Sequence, residues 1–212
     1  MAALAHDLRL YLVTDEYPDL LSRVEKAIQG GITCVQLRRK KITDDQFIEE
    51  ALQVRQLCRL YQIPFAINDR VEIARAVNAD WLHIGQEDKG ILFARTIVGS
   101  RTKIGVSVHS VEEALEAESS GADYVGVGAL FPTSSKPDTI PLPLDTLRSI
   151  RKAIGIPIVG IGGITEENIK RVPPDAVDGF AIISSILSAP DPKSAAVRMR
   201  EAVETVLNYQ QI

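Results

Sequence analysis

Eight short apolar runs, each followed by a longer stretch with helical spacing, constrain this chain more than any other feature. The runs are LRLYLVT (8–14), CVQLR (34–38), PFAIN (64–68), WLHIG (81–85), KIGVSV (103–108), YVGVGAL (124–130), PIVGIGG (157–163) and FAIISS (180–185). Short β-branched and apolar runs bounded by Gly, Pro or polar residues read as strands. Strands alternating with helices pair in parallel through right-handed crossovers. In 212 residues, eight such units close most simply into a (β/α)8 TIM barrel, an α/β fold with a parallel eight-stranded barrel. An open doubly wound sheet is the structural competitor. The eight clean units and the lack of G-x-G-x-x-G after the first strand count against it. No linker, low-complexity tract or fixed-period repeat divides the chain, so residues 1–212 read as one domain. A last helix, from 191 to about 209, closes the barrel.

The clearest helix is TDDQFIEEALQVRQLCRLY. Phe47, Ala51, Val54, Cys58 and Tyr61 line one face at helical spacing, and Ile48 and Leu52 widen it. Thr43 with Gln46 three residues later suits a capping box.

Active sites of such barrels gather at the C-terminal strand ends. Strand two ends in QLRRK. Alternation puts Gln36, Arg38 and Lys40 on one face, and Leu37 and Arg39 on the other. With Leu37 toward the helices, Gln36 and Arg38 reach the barrel mouth. Two cations and an amide suit a phosphorylated ligand; a solvated basic turn is the plain alternative. Strand three ends in Asn68-Asp69, and strand four runs into GQED, which carries Asp88. Neighbouring strands lie ~4.8 Å apart, so carboxylates on adjacent ends reach one ion. Mg²⁺ takes oxygen ligands, often one or two carboxylates completed by phosphates and water. Asp69 and Asp88 match that set. The plain alternatives are a turn or an Arg70 pair for Asp69, and a cap on the helix KGILFARTIV for Asp88.

Strand five gives GVSVHS, where Ser107 and His109 share a face. His109 is a possible acid or base near neutral pH, although a lone histidine is more often structural. His83 and His6 receive no role. Strand six flows into a long loop with hydroxyls at Thr133, Ser134 and Ser135, followed by Lys136. Such loops are often functional and can close over an anion. Strand seven ends in GIGGI and strand eight in IISSI. Gly162 and Gly163 let backbone N–H groups approach a ligand closely, and barrels often bind phosphate after strands seven and eight. The chain thus carries two anion sites. One is metal-assisted, at strands two to four with Lys136; the other is metal-free, at strands seven and eight. Two phosphorylated substrates, or one long one, would fill them.

A net charge of −4 and the lack of a polybasic run argue against nucleic acid or an anionic membrane as partner. No window holds the ~18 apolar residues of a membrane span. His6, Asp7 and Arg9 interrupt MAALAHDLRLYLV, which makes it a poor secretory leader. Cys34 and Cys58 lack metal-ligand spacing and read as inert buried thiols. A cytoplasmic location is the default expectation. Oligomeric state is not legible from the sequence.

Taken in order, QLRRK, IND, HIGQED, GVSVHS, FPTSSK, GIGGI and IISS resemble the thiamine phosphate synthase family over essentially the full chain. That family couples 4-amino-2-methyl-5-(diphosphooxymethyl)pyrimidine to a thiazole phosphate, forming thiamine phosphate and releasing pyrophosphate. The resemblance implies that Gln36, Arg38, Lys40, Asn68, Ser107 and Lys136 bind the pyrimidine diphosphate. It implies a catalytic part for Arg38, Ser107 and Lys136, and Mg²⁺ on Asp69 and Asp88. Thr133, Ser134, Ser135, Gly163, Ile183 and Ser184 would hold the thiazole phosphate. The implied mechanism is dissociative: pyrophosphate leaves, and the thiazole nitrogen captures the pyrimidine methylene cation. Three positions depart from the family pattern. Arg39 stands where an acid is usual, Ser135 where threonine is usual, and Ala129 where proline is frequent. None removes an implied ligand.

The first competing reading is the related thiazole tautomerase, which needs an acid–base histidine but no metal pair. The others are a generic phosphate-binding barrel enzyme, which leaves the Asp pair unexplained, and a non-catalytic metabolite-binding protein.

Overall fold

The computed structural model describes residues 2–133 and 140–208. Eight strands form the barrel: β1 Leu10–Val13, β2 Cys34–Leu37, β3 Phe65–Asn68, β4 Trp81–Ile84, β5 Lys103–Val108, β6 Tyr124–Val127, β7 Ile158–Ile161 and β8 Gly179–Ile182. They close in sequence order, every pair parallel, with β8 returning to β1. The helices are α1 Ala2–Asp7, α2 Leu20–Gln29, α3 Asp44–Leu60, α4 Val71–Ala76, α5 Gly90–Val98, α6 Val111–Ser119, α7 Leu144–Ala153, α8 Ser184–Leu187 and α9 Pro192–Asn208.

Strand alternation divides the core in two. Leu12, Leu37, Ile67, Leu82, Val125 and Phe180 face the helix layer and join the large outer cluster. Tyr11, Cys34, Ala66, Trp81, Tyr124, Val159 and Ala181 fill the barrel interior. Leu4 of α1 and the adjacent Leu8 pack on this inner cluster and close the barrel's N-terminal end.

A recurrent device joins strands in pairs. Thr33, Asp80, Asp123 and Asp178 each stand just before an even-numbered strand, and each accepts an N–H at the start of the preceding odd strand. The donors are Leu10, Phe65, Ile104 and Ile158, at 2.9, 3.0, 2.9 and 2.8 Å. Each short acceptor satisfies a backbone group that the staggered sheet edge leaves without a ladder partner.

All eight expected strands are present. The capping box at Thr43 and Gln46 is formed, and Phe47, Ala51, Val54 and Cys58 are buried. Leu52 is not part of that face: it is 47% exposed, because the apolar stripe is narrower than the spacing suggests. Strand β7 is also not followed by an α-helix. Two 3₁₀ turns, Ile169–Arg171 and Pro174–Ala176, take its place. Pro173 and Pro174 supply no N–H, and each disfavours helical backbone in the residue before it. Cys34 and Cys58 are free and buried; burial raises both thiols, Cys58 to about 12. No helix among the described residues is long and apolar enough to cross a membrane.

Candidate active site

The C-terminal strand ends surround a cleft with two connected parts. The inner part is the barrel floor, lined by Tyr11, Gln36, His83, Ser107 and Tyr124, and it opens toward Thr133 and Ile183. The outer part is polar and is walled by Arg38, Lys40, Asn68, Asp69 and Asp88. Gln36, Arg38, Asn68, Ser107 and Thr133 line one or both parts.

Local structure fixes each strand end. Thr14, fully buried after β1, accepts the Arg38 N–H at 3.0 Å and donates its own N–H to the Gln36 carbonyl at 2.9 Å. This pins the end of β2 and directs Arg38 over the cleft. Arg39 turns the other way and pairs with Glu50 of α3 at 2.7 Å. Beyond β3 the chain makes a three-residue turn. The Arg70 N–H donates to the Asn68 carbonyl at 2.7 Å, with Asp69 at φ +62°. The Asp69 N–H donates across to the His83 carbonyl at 2.8 Å, which aligns the ends of β3 and β4.

Asp88 does not cap α5, whose N-cap is Lys89. Its carboxylate instead accepts the Gly85 N–H at 2.7 Å, folding GQED back over the end of β4. That holds Asp88 beside Asp69. Partial burial and the neighbouring Asp88 push the Asp69 carboxyl up, while Lys40 and Arg38 pull it down. Two adjacent carboxylates with cations nearby suit a hard divalent ion and a polyanion together. Among the described residues no cluster of three or more His, Cys, Asp or Glu forms a metal cage. Asp69 and Asp88 are the described residues that could hold a divalent ion here, and two carboxylates are a set that Mg²⁺ can use.

The second expected anion site is only partly assembled by described residues. Gly162 and Gly163 have φ +98° and +62°. A Cβ on Gly163 would collide with the Pro132 carbonyl, so glycine is required where the strand-six and strand-seven loops touch. Ser185 donates to the Ile164 carbonyl at 2.6 Å and ties the strand-eight end to the strand-seven loop. Ile183 lines the inner cleft. Ser184 is exposed at the start of α8. Ser134, Ser135 and Lys136 lie outside the described residues.

Arg70 pairs with neither Asp69 nor Glu72. It reaches Asp44 at 2.6 Å, bonds the Ile42 carbonyl and stacks over Phe47. It thus fastens α4 to the segment entering α3. His109 sits at the mouth, its Nδ1 3.1 Å from Glu113 Oε2. Sequence reading missed His83, Tyr11 and Tyr124. His83 is central to the floor, with Nε2 2.9 Å from Ser107 Oγ and Nδ1 3.1 Å from Tyr124 Oη. The available signal was alternation, since His83 is two residues from Trp81 and shares its inward face.

Residues 10–186 match the family described as thiamine monophosphate synthase. The thiamine-phosphate synthase of Clostridium acetobutylicum is 48% identical over 202 residues, covering 93% of this chain and 96% of that protein. That of Pyrococcus abyssi is 43% identical over 202 residues, covering 94% and 97%. The solved structure of thiamine phosphate pyrophosphorylase from Pyrococcus furiosus aligns with a TM-score of 0.88 at 40% identity, covering 96% of this chain and 99% of that one. A 3-hexulose-6-phosphate synthase, 16% identical with a TM-score of 0.67, covers 92% and 99% and shares the fold alone. The chain belongs to the thiamine monophosphate synthase family.

Proposed function

We propose that this chain is a transferase that joins 4-amino-2-methyl-5-(diphosphooxymethyl)pyrimidine to a thiazole phosphate, giving thiamine phosphate and pyrophosphate. Family membership supports the reaction. The observation that carries the site is the Asp69–Asp88 pair facing Arg38 and Lys40 across one polar cleft that opens into an aromatic floor. Residues 1–212 act as one domain in this reading.

Gln36, Asn68 and Ser107 bind and orient the pyrimidine, while Arg38 and Lys40 hold its diphosphate, with Lys136 as a further partner. Asp69 and Asp88 would hold Mg²⁺, which when bound neutralises charge on the departing diphosphate. Thr133, Ser134, Ser135, Gly163, Ile183 and Ser184 hold the thiazole phosphate. The C–O bond to the diphosphate breaks with its electron pair leaving on oxygen. The thiazole nitrogen lone pair then forms the new C–N bond to the methylene carbon. This chemistry requires no covalent enzyme nucleophile. The chain contributes positioning and fixed charge, both of which lower such barriers substantially.

A second reading, the thiazole tautomerase, draws on His109 with Glu113 beside it, a base with an orienting carboxylate. It leaves the cationic and acidic walls of the outer cleft without a purpose. The test is product analysis after incubation with both substrates together and with each alone. Thiamine phosphate only from the pair supports the transferase; isomerised thiazole phosphate without the pyrimidine favours the tautomerase.

A further inference from the structure

The barrel floor holds a continuous hydrogen-bond chain that the metal and phosphate chemistry leaves unused. Gln36 Nε2 donates to Tyr11 Oη at 2.9 Å. The Tyr11 and Tyr124 hydroxyls are 3.0 Å apart. Tyr124 Oη is 3.1 Å from His83 Nδ1, and His83 Nε2 is 2.9 Å from Ser107 Oγ.

Each hydroxyl carries one proton, so this chain has a direction. With the Gln36 amide donating, Tyr11 donates to Tyr124, and Tyr124 donates to His83 Nδ1. An imidazole that accepts at Nδ1 carries its proton on Nε2 and donates it to Ser107. The Ser107 proton is left for a ligand. At the other end, no bond to Gln36 Oε1 occurs among the described residues, and none of their buried side-chain polar atoms lacks a partner. Gln36 Oε1 therefore opens on the pocket.

We infer that Tyr11, Tyr124 and His83 are positioning residues that set the polarity of the floor, an acceptor at Gln36 and a donor at Ser107, and so select a 4-aminopyrimidine over its 4-oxo counterpart. The inference rests on the pyrimidine reading above. The amino ring offers N–H donors at position 4 and lone pairs on its ring nitrogens. The oxo lactam reverses both, with a carbonyl acceptor and a ring N–H. To take it, Gln36 must flip, both phenol protons must turn and His83 must change tautomer together. Otherwise polar groups are left unpaired, which is how polar sites reject close analogues.

The surroundings hold the chain in place. Tyr11 and Tyr124 are 1% and 0% exposed, and Trp81 packs against both rings with centroids 6.0 and 5.6 Å away. Burial raises both phenols well above their ordinary range, so both stay protonated donors. A Cβ on Gly105 would fall within the Tyr124 ring, so the glycine in β5 is what lets Tyr124 cross the floor.

The test measures equilibrium binding of the pyrimidine diphosphate and of its 4-oxo analogue to the wild type, Tyr124→Phe and Tyr11→Phe, with melting temperatures recorded. Wild type should prefer the amino compound by at least about a hundredfold, and each variant should lower that ratio about tenfold or more. The ¹⁵N spectrum of His83 should show a bare Nδ1 and a protonated Nε2. An unchanged ratio in both folded variants, or the opposite tautomer, overturns the inference. If the preference is present but no thiamine phosphate forms, the transferase reading falls and the relay stands. Turnover without the preference overturns the relay and leaves the transferase reading standing.

Discussion

The Arg70 amide donates to the Asn68 carbonyl at 2.7 Å, and this closure holds Asp69 in the left-handed region at φ +62°. An i→i+2 turn of this hand is strained, and strain of this kind collects at functional sites. Here it delivers the amide to the inner cleft and the acid to the outer one from consecutive residues. Aspartate and asparagine tolerate this backbone better than alanine does. Asp69→Ala should therefore be less stable than Asp69→Asn by about 1 kcal/mol. Urea unfolding midpoints of the two metal-free variants measure the difference, and equal midpoints would contradict the strain.

In the proposed metal site both variants also remove the carboxylate charge of Asp69. Each should lower Mg²⁺-dependent turnover by about a hundredfold or more, because the charge of the leaving group is no longer balanced. Steady-state rates across a Mg²⁺ titration decide it; wild-type-like rates at low Mg²⁺ would remove Asp69 from the metal site.

Arg70 is as close to the site as Asp69 in sequence, yet its contacts are Asp44, the Ile42 carbonyl and Phe47. Arg70→Ala should cost about 1 kcal/mol of stability, since exposed ion pairs and cation–π contacts are modest. Turnover should stay within a few-fold. A loss as deep as that of Asp69→Asn would give Arg70 a direct role.

Asp123 bonds Lys103, the Ile104 N–H and Arg95 at 2.9, 2.9 and 3.0 Å. Burial alone would raise its carboxyl, but Lys103, the Ile104 N–H and Arg95 outweigh that and lower it. A lowered folded pKa contributes stability that is present above the unfolded value and is lost as pH falls through the folded one. Asp123→Asn should thus lose stability at neutral pH and much less in acid below the carboxylate range. Thermal melts across pH test this; a gap of constant size would refute it.

Gly163→Ala should raise the KM for the thiazole phosphate more than that for the pyrimidine diphosphate. A Cβ there collides with the Pro132 carbonyl and must also adopt φ +62°. Parallel loss for both substrates would dissolve the division into two anion sites.

The strands were legible because burial on two faces makes short continuous apolar runs. Their ends were less so: Gly128, Ala129 and Leu130 continue the apolar run of β6 but lie beyond its last paired residue, Val127. Gln36 and Arg38 could be placed on the mouth by alternation, and Asp69 by its position just past the end of β3. His83, Tyr11 and Tyr124 could not be joined by alternation. They come from β4, β1 and β6, and only barrel closure brings those inward faces together. The placement of Asp88 was not legible either, because its carboxylate accepts the Gly85 N–H within its own turn instead of capping α5. Arg70 was unreadable because its partner, Asp44, is 26 residues away in the chain.

The most direct measurement follows thiamine phosphate and pyrophosphate together in one time course, with Mg²⁺ and with a chelator. Both products should form in equal amounts, and the chelator should stop both. Equal rates with and without the chelator, or pyrophosphate released without thiamine phosphate, would contradict metal-assisted transfer at this site.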